Sequence, residues 1–256
     1  MKIAKQYRLN FVLTGQQRSG LSIVSRALNT HTKVACHENL LHHDLAIRRL
    51  NHVACFGDDN AEWPPDKELD FSCVAMLRHG VFDLERFGAS IVGFETTYDQ
   101  VAHLQLYESF EEWWREGSFC LIHIDRNPVS CFVSLQQAKS GCRWKNYSNE
   151  PYDNEPIYVD KDELLVFVRA HFNTRYKIVS SCEDRLMLYY RDLIFHNDIV
   201  VRRLFEFLQI PLFGTELIMK SVYGDVPIKD RILNFSTLIK SIPRELEPLF
   251  DESELF

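Results

Sequence analysis

Apolar residues along this chain fall into short blocks separated by amphipathic stretches. Five blocks read as strands: Leu9–Thr14, Lys33–Cys36, Ser90–Phe94, Phe119–Asp125 and Arg185–Tyr190. Most are apolar and bounded by polar residues, the signature of parallel strands buried on both faces. Apolar positions recur at helical spacing over Leu21–Asn29, Val101–Glu116, Val129–Lys139, Lys161–Cys182 and Asp198–Leu208. Strand and helix alternate, which predicts an α/β protein. Its core is a parallel sheet of about five strands with helices on both faces. The expected organisation is one three-layer domain over residues 1–256, with no internal repeat.

Two stretches break this rhythm. Phe56–Leu69 is acidic, carries Pro64-Pro65, and reads as a surface excursion. Gly141–Asp160 is polar, with Trp144, Tyr147, Tyr152 and Tyr158 interspersed. It reads either as an excursion pinned by its aromatic residues or as a loop on the substrate side of a site.

Composition narrows the classes. A chain of 256 residues with 46% hydrophobic residues can bury one substantial core. A net charge of −7 argues against a broad nucleic-acid surface, though a few local cations can still hold one anionic ligand. The seven cysteines (36, 55, 73, 120, 131, 142 and 182) are odd in number and have no CxxC spacing. That fits reduced thiols in a cytoplasmic chain and offers no zinc pattern. No signal peptide precedes the first strand, and no apolar run reaches membrane-spanning length.

The chemistry concentrates in FVLTGQQRSGLSIVSRAL, Phe11 to Leu28. A strand, a glycine loop and a helix in this order aim backbone N–H groups and a helix dipole at a phosphate. Gly15, four residues, Gly20, then Leu21 and Ser22 follows the nucleotide-binding loop pattern, except that Leu21 replaces its lysine. The cation lies within the loop instead, as Arg18. An NTP-hydrolysing loop needs that lysine at the β- and γ-phosphates, with Mg²⁺ beside it. Ser19 and Ser22 add hydroxyl donors. A second strand-to-helix turn lies in LIHIDRNPVSCFVSLQQAK, Leu121 to Lys139. Arg126 follows the strand, Pro128 suits a first helical turn, and Ser134 comes eight residues after Arg126. Read alone, each segment is also compatible with an ordinary turn.

Together the two segments resemble the sulfotransferase family that uses 3′-phosphoadenosine 5′-phosphosulfate (PAPS). That family carries a basic residue, Ser-Gly and then Thr or Ser at its first loop. Here the run is Arg18-Ser19-Gly20-Leu21-Ser22, with Leu21 in place of the usual hydroxyl residue. The family's second signature, an arginine often followed by Asn-Pro with a serine eight residues on, reads Arg126-Asn127-Pro128 and Ser134. Tyr189–Pro211 and the tail Val226–Leu238 are similar to later segments of the family. The resemblance implies a layout related to P-loop nucleoside kinases. It also implies that the first loop holds the 5′-phosphosulfate, that Arg126 and Ser134 hold the 3′-phosphate, and that Lys229 and Arg231 approach the nucleotide. The implied reaction is sulfuryl transfer to a hydroxyl of a small-molecule, carbohydrate or glycolipid acceptor. It leaves adenosine 3′,5′-bisphosphate and needs no metal.

Such a transfer needs fixed donors at the leaving oxygen, a role for Arg18, and a base for the acceptor proton. Glu38, just past the second strand, is the first candidate, because bacterial members resemble this segment and place a glutamate there. His37 is its nearest competitor. Where the family carries a lysine, in some members followed by a histidine base, this chain has Glu95 and Thr97. Glu95 is then a third candidate, as a base or an acceptor-binding residue. Two alternatives stand beside the sulfotransferase: an ATP-dependent P-loop phosphotransferase, and an inactive nucleotide-binding interaction module.

Overall fold

The computed structural model describes residues 10–38, 40–41, 89–117, 119–141, 155–211 and 226–251. The acidic stretch Phe56–Leu69 and residues 142–154 of the aromatic-rich loop lie outside them.

Five strands are described: β1 (Asn10–Gly15), β2 (Val34–His37), β3 (Ile91–Thr97), β4 (Phe119–Asp125) and β5 (Arg185–Tyr189). They form one sheet in the order β2-β3-β1-β4-β5, and every neighbouring pair is parallel. A parallel sheet must be covered on both faces, and strand alternation divides the apolar side chains accordingly. Phe11, Leu13, Cys36, Ile122 and Leu188 pack with helices α1 (Leu21–Asn29) and α7 (Asn197–Leu208). On the other face, Val12, Val92, Phe94 and Leu121 pack with α2 (Tyr98–His103), α3 (Tyr107–Arg115) and the end of α5 (Lys161–Ser181). Trp113 of α3 is fully buried here, stacked on Phe119 with ring centroids 5.0 Å apart. Removing such a ring costs about 3–5 kcal/mol.

The sequence predicts one helix over Val101–Glu116, and the chain instead forms α2 and α3, broken at Gln105 with φ 51°. Leu104 and Leu106 are both buried. In a continuous helix they would point about 200° apart, whereas a left-handed residue between them turns both inward. Strand β3 runs three residues past its predicted end, through Glu95, Thr96 and Thr97, because each pairs with β1.

Helix α4 (Pro128–Ser140) leans on α5, and the C-terminal segment closes over both. That segment comprises a 3₁₀ turn (Ile228–Arg231), α8 (Phe235–Ser241) and a second 3₁₀ helix (Arg244–Phe250). Ile228, Ile232, Leu238 and Phe250 pack with Val129, Phe132 and Val168. This satellite core carries the tail's cations to α4. A short helix, α6 (Tyr190–Phe195), follows β5 directly.

The strand order positions the site. β1 and β4 are neighbours, but the chain leaves β1 towards β2 and leaves β4 towards β5, at opposite edges. Where successive connections diverge, the carboxyl ends of the strands open a crevice. The loops after β1 and β4 carry Arg18 and Arg126. The described cysteines (36, 120, 131 and 182) are buried free thiols. Among the described residues, no helix is long and apolar enough to cross a membrane.

Candidate active site

The loop after β1 is built around two residues in the left-handed region, Arg18 (φ 72°) and Gly20 (φ 97°). A non-glycine residue there is uncommon. Left-handed residues in such a loop help N–H groups converge on one side, although the Ser19 amide is itself donated to the Gln16 carbonyl at 3.0 Å. Gly20 also ends the loop as the N-cap of α1, and no side chain caps this helix. In contrast, Asn127 caps α4 and Asp160 caps α5. The first turn of α1 therefore offers its amides, and its positive dipole end, to an anion. Gly15 lies against Ser19: a methyl group added there would meet Ser19 Oγ at 2.6 Å and the Ile124 carbonyl at 2.7 Å. Ser19 is buried, and its hydroxyl has no hydrogen-bond partner. Leu21 is also buried, within the α1-side core. The residue in the lysine position serves packing. Ser22 is half-buried beside it.

The two motifs meet. Arg18 Nε donates to Ser134 Oγ at 3.1 Å. Arg126 Nη1 donates to the Arg18 carbonyl at 2.5 Å. The register Asp125↔Tyr189 explains a third contact. One residue beyond it, the Arg126 guanidinium lies over the Tyr190 ring, 3.8 Å from its centroid. A methyl group on Gly20 would come within 3.2 Å of the same ring. Tyr190 thus lies against both the first loop and Arg126, a placement the sequence did not disclose. Its only signal was an aromatic residue at the end of a predicted strand.

Arg231 is buried, and its Nη2 donates to Gln137 Oε1 at 2.8 Å. Gln137 lies one helical turn beyond Ser134 on α4, so both reach towards the incoming arginines. Burial pushes the Cys131 thiol up to about 12, and Arg126, Arg18 and Arg231 each pull it down. Arg18 and Arg231, from distant parts of the chain, thus both bond side chains of α4, and Arg126 directly precedes that helix. Lys229 is exposed on the same 3₁₀ turn.

The three candidate bases lie on the other side of β1. His37 and Phe94 are the last registered pair of β2 and β3, so Glu38 follows beside Glu95. Burial pushes the Cys36 thiol well up, and Glu95 and Glu38 add to the shift, which places both carboxylates near it. Glu38 is partly exposed and approaches Arg26 of α1 at 3.7 Å. Glu95 is buried at 5% exposure. Burial lowers the His37 imidazole to about 4, which makes it a weak base at neutral pH. Among the described residues, no group of His, Cys, Asp and Glu has the arrangement of a metal site.

No protein-family model and no curated protein matches the sequence. Solved structures do match in fold. A sulfotransferase from Alicyclobacillus acidocaldarius is 16% identical, with 97% of this chain and 98% of that one covered and a TM-score of 0.51. The sulfotransferase domain of the olefin synthase from Synechococcus PCC 7002 is 12% identical, with 99% and 90% covered and a TM-score of 0.51. The parallel five-stranded sheet and its covering helices are those of the sulfotransferase fold.

Proposed function

We propose that this chain is a PAPS-dependent sulfotransferase acting on a hydroxyl of a small-molecule, carbohydrate or glycolipid acceptor. One observation carries the reading: the glycine loop and the arginine turn, far apart in sequence, are hydrogen-bonded to each other through Arg18, Ser134 and Arg126. A ligand at this edge meets a nest of amides and three guanidinium groups, a set that suits two separate phosphoryl groups on one nucleotide. The loop N–H groups and Arg18 would hold the 5′-phosphosulfate end. Arg126, Ser134 and Arg231 would hold the 3′-phosphate.

In the transfer, the acceptor oxygen bonds to sulfur while the bond from sulfur to the 5′-phosphate oxygen breaks. Charge grows on that leaving oxygen, where the α1 amides and Arg18 stabilise it. The acceptor proton passes to a base, for which Glu38 is the best placed candidate. It is partly exposed at the carboxyl edge of β2, whereas Glu95 is buried and His37 is weakly basic. One catalytic unit would span residues 1–256, with the 141–160 loop on the acceptor side.

An ATP-dependent phosphotransferase is less well supported. Leu21 packs in the core where the phosphate-binding lysine would stand. Asp125, the acidic residue ending β4, is engaged by Arg175. Thermal unfolding with ligands tests the choice, because a ligand stabilises the state it binds. Adenosine 3′,5′-bisphosphate without Mg²⁺ is expected to raise Tm more than ATP with Mg²⁺ does. The reverse order would move the assignment to the phosphotransferase.

A further inference from the structure

The three residues at the mouth of β4 divide their work. Asp125 is buried, and both Nε and Nη2 of Arg175 donate to its Oδ2, at 3.0 and 2.6 Å. Asn127 is buried as well. Its Oδ1 accepts from the Val129 and Ser130 amides, and its Nδ2 donates to the Leu249 carbonyl at 2.7 Å. Between these two anchors stands Arg126.

Strand alternation sends Asp125 to the α5 face of the sheet and Arg126 the other way, towards Arg18 and Tyr190. The peptide joining residues 125 and 126 is planar, so gripping Asp125 on one face limits how Arg126 leaves the strand on the other. The grip is a fork of two donors on one oxygen, which fixes direction as well as distance. It is set within a polar wall. His123, two residues back on the same face, meets the Tyr98 hydroxyl, and His171, one turn before Arg175 on α5, lies edge-on to the Tyr98 ring.

We propose that the Arg175–Asp125 pair is a positioning device that aims the Arg126 guanidinium and so sets the preference of the site for a nucleotide with a second phosphate. The proposal rests on the nucleotide reading given above. Arg175 acts through Asp125 and the β4 backbone. A fork can be weakened without emptying it, so Arg175→Lys is a graded variant and Arg175→Met a full one.

The test is calorimetric titration with adenosine 3′,5′-bisphosphate and with adenosine 5′-monophosphate. The proteins are the wild type, Asp125→Asn, Arg175→Met and Arg175→Lys, each checked for a cooperative melt. Wild type is expected to prefer the bisphosphate. In Asp125→Asn and Arg175→Met the bisphosphate affinity falls about tenfold or more, while the monophosphate affinity changes less than about twofold. Arg175→Lys recovers part of the loss. Equal losses for both ligands would mean general damage and overturn the proposal, as would a preference that survives both full variants. A wild type without any preference would sink the nucleotide reading, and this proposal with it. The two failures are therefore told apart by the wild type alone.

Discussion

Arg18 donates to Ser134 across 116 residues of chain, and Arg126 closes the loop by donating to the Arg18 carbonyl. The glycine loop and the arginine turn are one hydrogen-bonded unit, so damage to one is felt by the other. Arg126→Ala is expected to weaken adenosine 3′,5′-bisphosphate binding by about 1.5–3 kcal/mol, the scale of a hydrogen bond to a charged group. Ser134→Ala loses about 1 kcal/mol. Shared contacts make the double variant non-additive. Calorimetric titration of the two single variants and the double would show this, and strict additivity would mean that the arginine and the serine act independently.

Glu38 follows β2 directly, beside Glu95 within β3, and a pair of single substitutions separates their proposed roles. Glu38→Gln keeps the shape and the nucleotide site but cannot accept a proton. Turnover is expected to fall by about 10²–10⁴-fold with the bisphosphate affinity unchanged. Single-turnover assays with PAPS and a panel of hydroxyl acceptors measure it. Near-wild-type turnover in Glu38→Gln with loss in Glu95→Gln would transfer the role to Glu95.

What the sequence disclosed followed from local pattern. All five strands and α1 are visible as apolar runs and helical periodicity. The arginine motifs are visible because loop chemistry needs particular residues at fixed spacing. The break at Gln105 was invisible, since a left-handed residue leaves no periodic mark and both flanking leucines look helical. The extension of β3 was hidden by the polarity of Glu95, Thr96 and Thr97, which are tolerated there by pairing with β1. The partners Arg175 and Tyr190 could not be read either. Each depends on a register or a helix packing that joins distant segments, such as 50 residues between Arg175 and Asp125. Between Lys229 and Arg231 the sequence had no basis for choice. The 3₁₀ turn buries one and exposes the other.

Gly20 answers two demands at once, a φ of 97° and a ring against its Cα. Gly20→Ala therefore meets a backbone penalty of about 1–2 kcal/mol. It also meets Tyr190 at 3.2 Å. Urea denaturation is expected to show a loss of at least about 1 kcal/mol, and bisphosphate affinity falls in parallel. Gly20→Ala in a Tyr190→Ala background recovers the steric part alone. A Gly20→Ala protein of wild-type stability would mean that the loop takes another conformation in solution.

The imidazoles on the α5 face give the fold an acid limit. Burial lowers His123 to about 3, and Arg175 and His171 add to the shift. Burial, with Arg175 again, lowers His171 to about 4. In the unfolded chain both titrate near pH 6.5, so between these values the unfolded state takes up protons that the fold refuses. Their contribution is complete above about pH 7 and is lost as pH falls through 6.5 towards 4. At about pH 5 each histidine has cost about 2 kcal/mol relative to neutral pH. Urea unfolding of wild type and His171→Asn at about pH 7.5 and about pH 5 isolates one share. The variant is less stable at neutral pH, yet its acid loss is smaller by about 2 kcal/mol. An identical acid loss in both proteins would mean that His171 takes up its proton without unfolding, and that the polar wall behind Asp125 is open to water.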